Sequence, residues 1–179
     1  MKIVGIVIAK KESKRFNNKN IYIVNGVPMF WHAVCPLLKS NVIDDVYVAT
    51  DSDIIKEYCR KREVNIIHRG VNAIHNDEPL FSILKHIYKC IENRYDIVVS
   101  ILANSIGHQA IDIDKCVSML IKNTELKEVR SCGRGNIENG ILAIRESVIY
   151  NKHELSTYIG MIKSYGVEIH YEKDLKSLI

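Results

Sequence analysis

Runs of β-branched residues alternate with segments of helical pattern along almost the whole chain, and no other feature constrains the fold as much. Lys2 to Ala9 reads as a fully buried strand, and Lys10 to Asn20 as a charged loop without periodicity. Val27 to Ser40 has a helical pattern, with Pro28 near its first turn and Pro36 expected to kink it or end it early. Then come a strand at Asp45–Thr50, an amphipathic helix at Ser52–Arg62 capped by Ser52 or Asp51, and a strand at Val64–His68. A helix at Glu78–Asn93, with Asp77 as its cap, leads to the apolar strand Asp96–Leu102. A helix at Asp112–Asn123, strands at Asn139–Ile144 and Val167–Tyr171, and a short terminal helix complete the pattern. Such alternation predicts an α/β domain of three layers, a mostly parallel sheet covered on both faces.

With 179 residues the chain fits one such domain, 1–179. No apolar run approaches the roughly 20 residues needed to span a bilayer. The N-terminal apolar stretch is followed by charges rather than a small-residue cleavage site, so it reads as the first strand and not as a leader. Five cysteines without CxxC spacing argue against a disulfide framework or a zinc site, and a reduced, cytoplasmic setting is expected. Cys35, Cys59, Cys90 and Cys116 read as core filler. The formal charge of +4 suits a small anionic ligand and falls short of a nucleic-acid footprint.

In a parallel sheet, ligands bind beyond the C-terminal strand ends. Here those ends lead to the loop after Ala9, to Thr50–Asp51 and to the loop after Leu102. The first loop carries Lys10, Lys11, Lys14, Arg15 and Lys19 against one carboxylate, Glu12, enough charge to neutralise a triphosphate. It is neither a P-loop nor a dinucleotide fingerprint. Ser131–Asn139 is the one glycine-containing flexible patch.

Several motifs in order resemble the acylneuraminate and KDO-type cytidylyltransferases. Their first loop typically reads ARGGSKGIPRKNI, and Ala9–Ile21 reads AKKESKRFNNKNI. Asn25-Gly26-Val27-Pro28 is similar to their N-G-K-P, and Ala49-Thr50-Asp51 to their S-T-D. Val167–Leu175 resembles their I-D-I-D-T-E-E-D-L. The resemblance implies a Rossmann-like nucleotide-diphospho-sugar transferase fold and transfer of CMP from CTP to an acid sugar, with a divalent metal, normally Mg²⁺. By position it gives Lys10 and Lys19 the phosphate-stabilising roles. Ser13 and Lys14 hold the loop, Asn20 contacts the nucleotide, and Arg69 helps recognise the base.

The departures from the pattern are equally specific. The double glycine is Lys11-Glu12 here, and the loop arginine is Lys10. The central L-L-Q-P-T-S-P-L-R becomes Ser100–His108, so the acceptor-binding Gln and Arg become Leu102 and His108. Asn104, Ser105 and His108 remain as acceptor-binding candidates, His108 as a partly cationic group near neutral pH. The metal-holding aspartates become Glu168 and His170. Imidazole is a poor Mg²⁺ ligand and suits Mn²⁺ better. The excursion that covers the partner subunit in the family is absent between about 129 and 139, which puts the family's dimer in doubt. Three readings stay open. The first is a cytidylyltransferase acting on a sialic acid-like or KDO-type acid sugar. The second is a nucleotidylyltransferase with a smaller phosphonate or phosphate acceptor. The third is a non-catalytic relative that binds a nucleotide or a partner protein.

Overall fold

A computed structural model describes residues 1–13, 15–68, 80–150 and 159–178. The strands are β1 (Ile3–Ile8), β2 (Ile23–Val24), β3 (Val27–Pro28), β4 (Asp45–Thr50), β5 (Asn65–His68), β6 (Ile97–Leu102), β7 (Ser105–Ile106), β8 (Glu128–Cys132), β9 (Glu138–Arg145), β10 (Ile159–Lys163) and β11 (Val167–Glu168). The helices are α1 (Trp31–Leu38), α2 (Asp53–Arg60), α3 (Leu80–Lys89), α4 (Ala110–Lys122) and α5 (Glu146–Tyr150). Short 3-10 turns lie at Lys19–Ile21, Arg134–Asn136 and Glu172–Leu178.

Seven strands form the main sheet in the order β10-β8-β9-β6-β1-β4-β5. β6 lies at its centre, and β1 beside it runs parallel to both β4 and β6. β4–β5 and β8–β10 are also parallel, and β9 runs antiparallel to both its neighbours. The alternating pleat of β1 divides the core. Ile3 and Val7 pack with residues of α1, α2 and α4 on one face, and Val4 and Ile6 with residues of α3 and α5 on the other. This is the expected three-layer α/β fold. Gly5 permits the closest approach of α1, because a Cβ there would stand 2.9 Å from Leu37 Cδ2.

Several elements differ from the sequence expectation. Val27–Ser40 is not one helix: Val27–Pro28 pairs with Ile23–Val24, and α1 begins only at Trp31. The turn between them is Asn25-Gly26, with φ of 48° and 81°. Two left-handed residues in succession make a tight hairpin, and Asn-Gly is the pair that tolerates it best. Pro36 sits inside α1, which ends two residues later. The sequence pattern predicts neither β8 nor β10. Ser131–Asn139, expected to be a flexible patch, is the end of β8, a short turn and the start of β9. The strand expected at Val167–Tyr171 is only Val167–Glu168, paired with β7. Ser52 caps α2, accepting from Ile55 N–H at 3.4 Å. The start of the helix expected at Glu78, with Asp77 as its cap, lies outside the described residues. Cys59, Cys116 and Cys132 are buried, but Cys90 is exposed and so does not fill the core. Among the described residues no helix is long and apolar enough to cross a membrane.

Candidate active site

The chain runs from β1 to β4 and β5 on one side, then returns to β6 on the other. The crevice beyond the C-terminal ends of β1 and β6 is therefore the topological switch point of the sheet. A cavity of ≈ 250 Å³ opens there, walled by Lys10, Ser13, Lys19 and Asn20 from the first loop, by Ser100–Asn104 from β6 and its turn, and by Leu80 and Ile83.

The loop is held in place by its own backbone and by β4. Lys11 N–H donates to Asp51 Oδ1 at 2.6 Å, and Asn20 Nδ2 donates to the Lys10 carbonyl at 2.8 Å. Phe16 anchors the loop tip among Met29, Ile106 and Ile169. Asn20 is buried, so it both lines the cavity and ties the two ends of the loop together. Lys11 and Glu12, which replace the family's glycines, are exposed.

Lys19 is a constrained cation. Its Nζ donates to the Ile169 carbonyl at 3.2 Å, an oxygen that also accepts from Asn104 Nδ2 at 3.0 Å. Burial, then the charges of Lys10 and Arg15, push its pKa below the ordinary lysine value, while Glu168 and Asp174 oppose the shift. A desolvated ammonium beside other cations is stabilised by an arriving anion, and phosphate oxygens supply one. Of the residues expected at a nucleotide, Lys10, Ser13, Lys19 and Asn20 meet around one cavity. Lys14 and Arg69 lie outside the described residues.

A second cavity of ≈ 270 Å³ adjoins the first and shares Leu80 and Leu102 with it. Its polar wall is Glu128 and Arg130 of β8, Glu138 of β9 and Glu168 of β11. Arg130 Nη1 donates to both oxygens of Glu138, at 2.7 and 2.8 Å, and Nη2 donates to Glu128 at 3.2 Å. Its Nε is buried without a hydrogen-bond partner among the described residues. These residues escaped sequence reading because β8 did. The signal is the spacing of Glu128 and Arg130, which puts both on one face once the segment is a strand.

The residues expected at an acceptor do not line this second cavity. Asn104 lines the first cavity. Ser105 is fully buried, with its Oγ donating to the Asn139 carbonyl at 2.8 Å. His108 is 6% exposed, and both ring nitrogens are engaged: Nε2 stands 2.7 Å from the Asn139 carbonyl and Nδ1 2.7 Å from Ser164 Oγ. Ser164 Oγ in turn donates to Asp112 at 2.9 Å. Burial pushes the His108 pKa down, against the Asn139 carbonyl and Asp112. The expectation of a cationic His108 facing an anion is therefore corrected. Its ring is an internal fastener that joins β7, β9 and the segment before β11.

Glu168 and His170 face each other, with Nε2 and Oε2 3.2 Å apart. Burial raises the Glu168 pKa, and His170 and Lys19 oppose that rise. This donor set does not fit Mg²⁺: one carboxylate oxygen is engaged by an imidazole, and imidazole suits softer divalent ions. Among the described residues no group of three or more His, Cys, Asp or Glu could hold a metal ion.

Comparison with known proteins agrees with this geometry. Residues 4–160 match the family model described as Cytidylyltransferase. An N-acylneuraminate cytidylyltransferase of Streptococcus agalactiae serotype V is 27% identical over 101 residues, 55% of this chain and 24% of that protein. A 3-deoxy-manno-octulosonate cytidylyltransferase of Zea mays is 33% identical over 98 residues, 55% of this chain and 32% of that one. The matched segments thus span a quarter to a third of these curated relatives' length. Among solved structures, a CMP:2-keto-3-deoxy-manno-octonic acid synthetase complexed with CTP superposes with a TM-score of 0.80 at 15% identity, covering 99% of this chain and 97% of that one. A cytidylyltransferase from Leptospira borgpetersenii serovar Hardjo-bovis gives 0.77 at 15% identity, covering 99% and 85%. With a family model matched over most of its length, and a basic cavity at the switch point of the matching fold, the chain belongs to the cytidylyltransferase family.

Proposed function

We propose that the protein transfers CMP from CTP to an acid sugar of the nonulosonic or KDO type and releases pyrophosphate. The observation that carries this reading is the convergence of Lys10, Ser13, Lys19 and Asn20 on one cavity at the sheet's switch point. The triphosphate lies against Lys10 and Lys19, and the acceptor occupies the adjoining cavity. The anomeric hydroxyl of the acceptor attacks the α-phosphorus. An oxygen–phosphorus bond forms to the sugar, the bond to the bridging oxygen of pyrophosphate breaks, and the hydroxyl proton leaves to solvent. Lys19 is held by the Ile169 carbonyl before substrate arrives, so little reorganisation is needed to meet charge that develops on the α-phosphate. CTP in the complex of the structural neighbour named above supports the donor assignment.

Charge neutralisation in this reading rests on the lysines. Mg²⁺ or Mn²⁺ would enter with the nucleotide rather than wait in a protein cage, and the Glu168–His170 pair favours Mn²⁺ of the two. The test is pyrophosphate release from CTP with N-acetylneuraminate or 3-deoxy-manno-octulosonate as acceptor, run with each metal. Release that needs both CTP and acid sugar supports the reading. Nucleotide binding without release from any acid sugar would favour the non-catalytic reading, or one with a phosphonate or phosphate acceptor.

A further inference from the structure

A lysine carries its charge on a flexible stem, so its aim is set by whatever holds the ammonium. Lys19 Nζ is held by the Ile169 carbonyl, 150 residues away in sequence. Ile169 is itself gripped at both backbone polar atoms by one residue. Its N–H donates to the Asn104 carbonyl at 2.8 Å, and its carbonyl accepts from Asn104 Nδ2 at 3.0 Å. The carbonyl oxygen has two lone pairs, of which Asn104 meets one and Lys19 the other. The strand before it, β11, is two residues long, so its ladder alone fixes the carbonyl weakly. The Ile169 side chain is buried beside Phe16, at the tip of the loop that carries Lys19. Asn104 stands in the turn between β6 and β7, on the wall of the first cavity.

Resting on the transfer reading above, we infer that Asn104 is a positioning residue on the donor side. It orients the Ile169 carbonyl and, through it, the Lys19 ammonium. One Lys19 donor is spent on that carbonyl, and two remain for the phosphate oxygens. Asn104 thus has a different task from the acceptor contact that the sequence led us to expect. With the carboxamide removed, Lys19 still offers its charge to a bound triphosphate, so CTP affinity is kept. Its aim at the α-phosphate is lost, and that aim counts in the transition state.

The test is a double-mutant cycle on the whole chain, read as pyrophosphate release and as CTP binding by calorimetry. Release by the wild-type protein is measured first. Asn104→Ala is expected to lower kcat about five- to tenfold, the scale of one hydrogen bond, and to change CTP Kd less than about twofold. In the Lys19→Ala background the same substitution is expected to change kcat less than about twofold, because the group it positions is gone. An equal loss in both backgrounds would overturn the inference, since Asn104 would then act without Lys19. An unchanged kcat would overturn it too, as would a rise in Kd that matches the fall in kcat. If Asn104→Ala does not fold, Asn104→Ser, whose hydroxyl is one bond short of the carboxamide nitrogen, is read in the same way. Failure of both variants to fold would make Asn104 a structural residue and overturn the inference. No release by the wild-type protein from any acid sugar would overturn the transfer reading and this inference with it. Release with an additive cycle overturns this inference alone.

Discussion

The two adjoining cavities share Leu80 and Leu102 but are built in different ways. The first draws most of its polar wall from one contiguous loop, Lys10–Asn20, hung from the end of β1, with Ser100 and Asn104 completing it. The second draws its polar wall from three strands, β8, β9 and β11, and beside it lies a buried polar knot of Ser105, His108, Asn139 and Ser164. A ligand site made from one loop on a parallel strand can keep its chemistry while its surroundings change. A site assembled across strand edges depends on register and on every fastener between them. Donor and acceptor recognition are therefore expected to be separable in this fold.

The largest effect is expected at Lys19. Lys19→Ala should lower kcat for CMP transfer by about 10²- to 10³-fold, the scale for one preorganised stabilising donor, with a smaller loss in CTP affinity. Stopped pyrophosphate assays and calorimetry on the same protein read the two quantities. Equal losses in both would mean that Lys19 only binds.

Next is the fastener beside the acceptor side. Gly140 has φ of 118°, and a Cβ there would stand 2.5 Å from Ser105 Oγ. Gly140→Ala should cost about 1–3 kcal/mol from crowding, with added backbone strain, and should lower the melting temperature. CTP binding by the folded fraction should stay within about threefold of wild type. Loss of CTP binding in step with acceptor binding would break the separation of the two regions.

The pH dependence is a smaller effect and reads the donor side alone. The folded pKa of Lys19 lies below its unfolded value of 10.5. Its charge is complete well below the folded pKa and is lost as pH rises through it. CTP affinity should therefore begin to fall at a lower pH than an ordinary lysine would allow, and Lys19→Ala should remove that limb. Between the folded pKa and 10.5 the unfolded chain holds the proton more tightly, so the same shift lets stability without nucleotide rise with pH there.

The smallest effect is at the thiols. Cys90 is exposed, while burial pushes Cys59 up to about 11 and Cys116 up to about 12. A thiol reagent should modify Cys90 well before either of these. Cys90→Ser should change stability by less than about 0.5 kcal/mol and leave both cavities unaltered.

Legibility in the sequence followed the same division. The apolar runs at β1, β4 and β6 declare buried parallel strands, and the cluster of lysines after Ala9 declares the donor loop. Both are local patterns, readable within a dozen residues. β8 is short and carries Glu128 and Arg130, charges that disguise a strand until their partners across the sheet are known. Glu138 sits at a strand start beyond a turn whose residues read as a flexible patch. His108 looked like a loop cation because nothing near it in sequence foretells Asn139 and Ser164, which lie 31 and 56 residues away and enclose its ring. Asn25-Gly26 carried a hairpin signal in plain view, but the helical pattern that follows it hid the turn.

Whether the basic cavity at the switch point is a working CTP site is read most directly by isothermal calorimetry of CTP against UTP, ATP and GTP, with and without Mg²⁺ and Mn²⁺. Selective CTP binding is expected in the micromolar range typical of enzyme substrates, lost or greatly weakened in Lys19→Ala. A folded protein that binds none of the four nucleotides, with either metal or without, would contradict it.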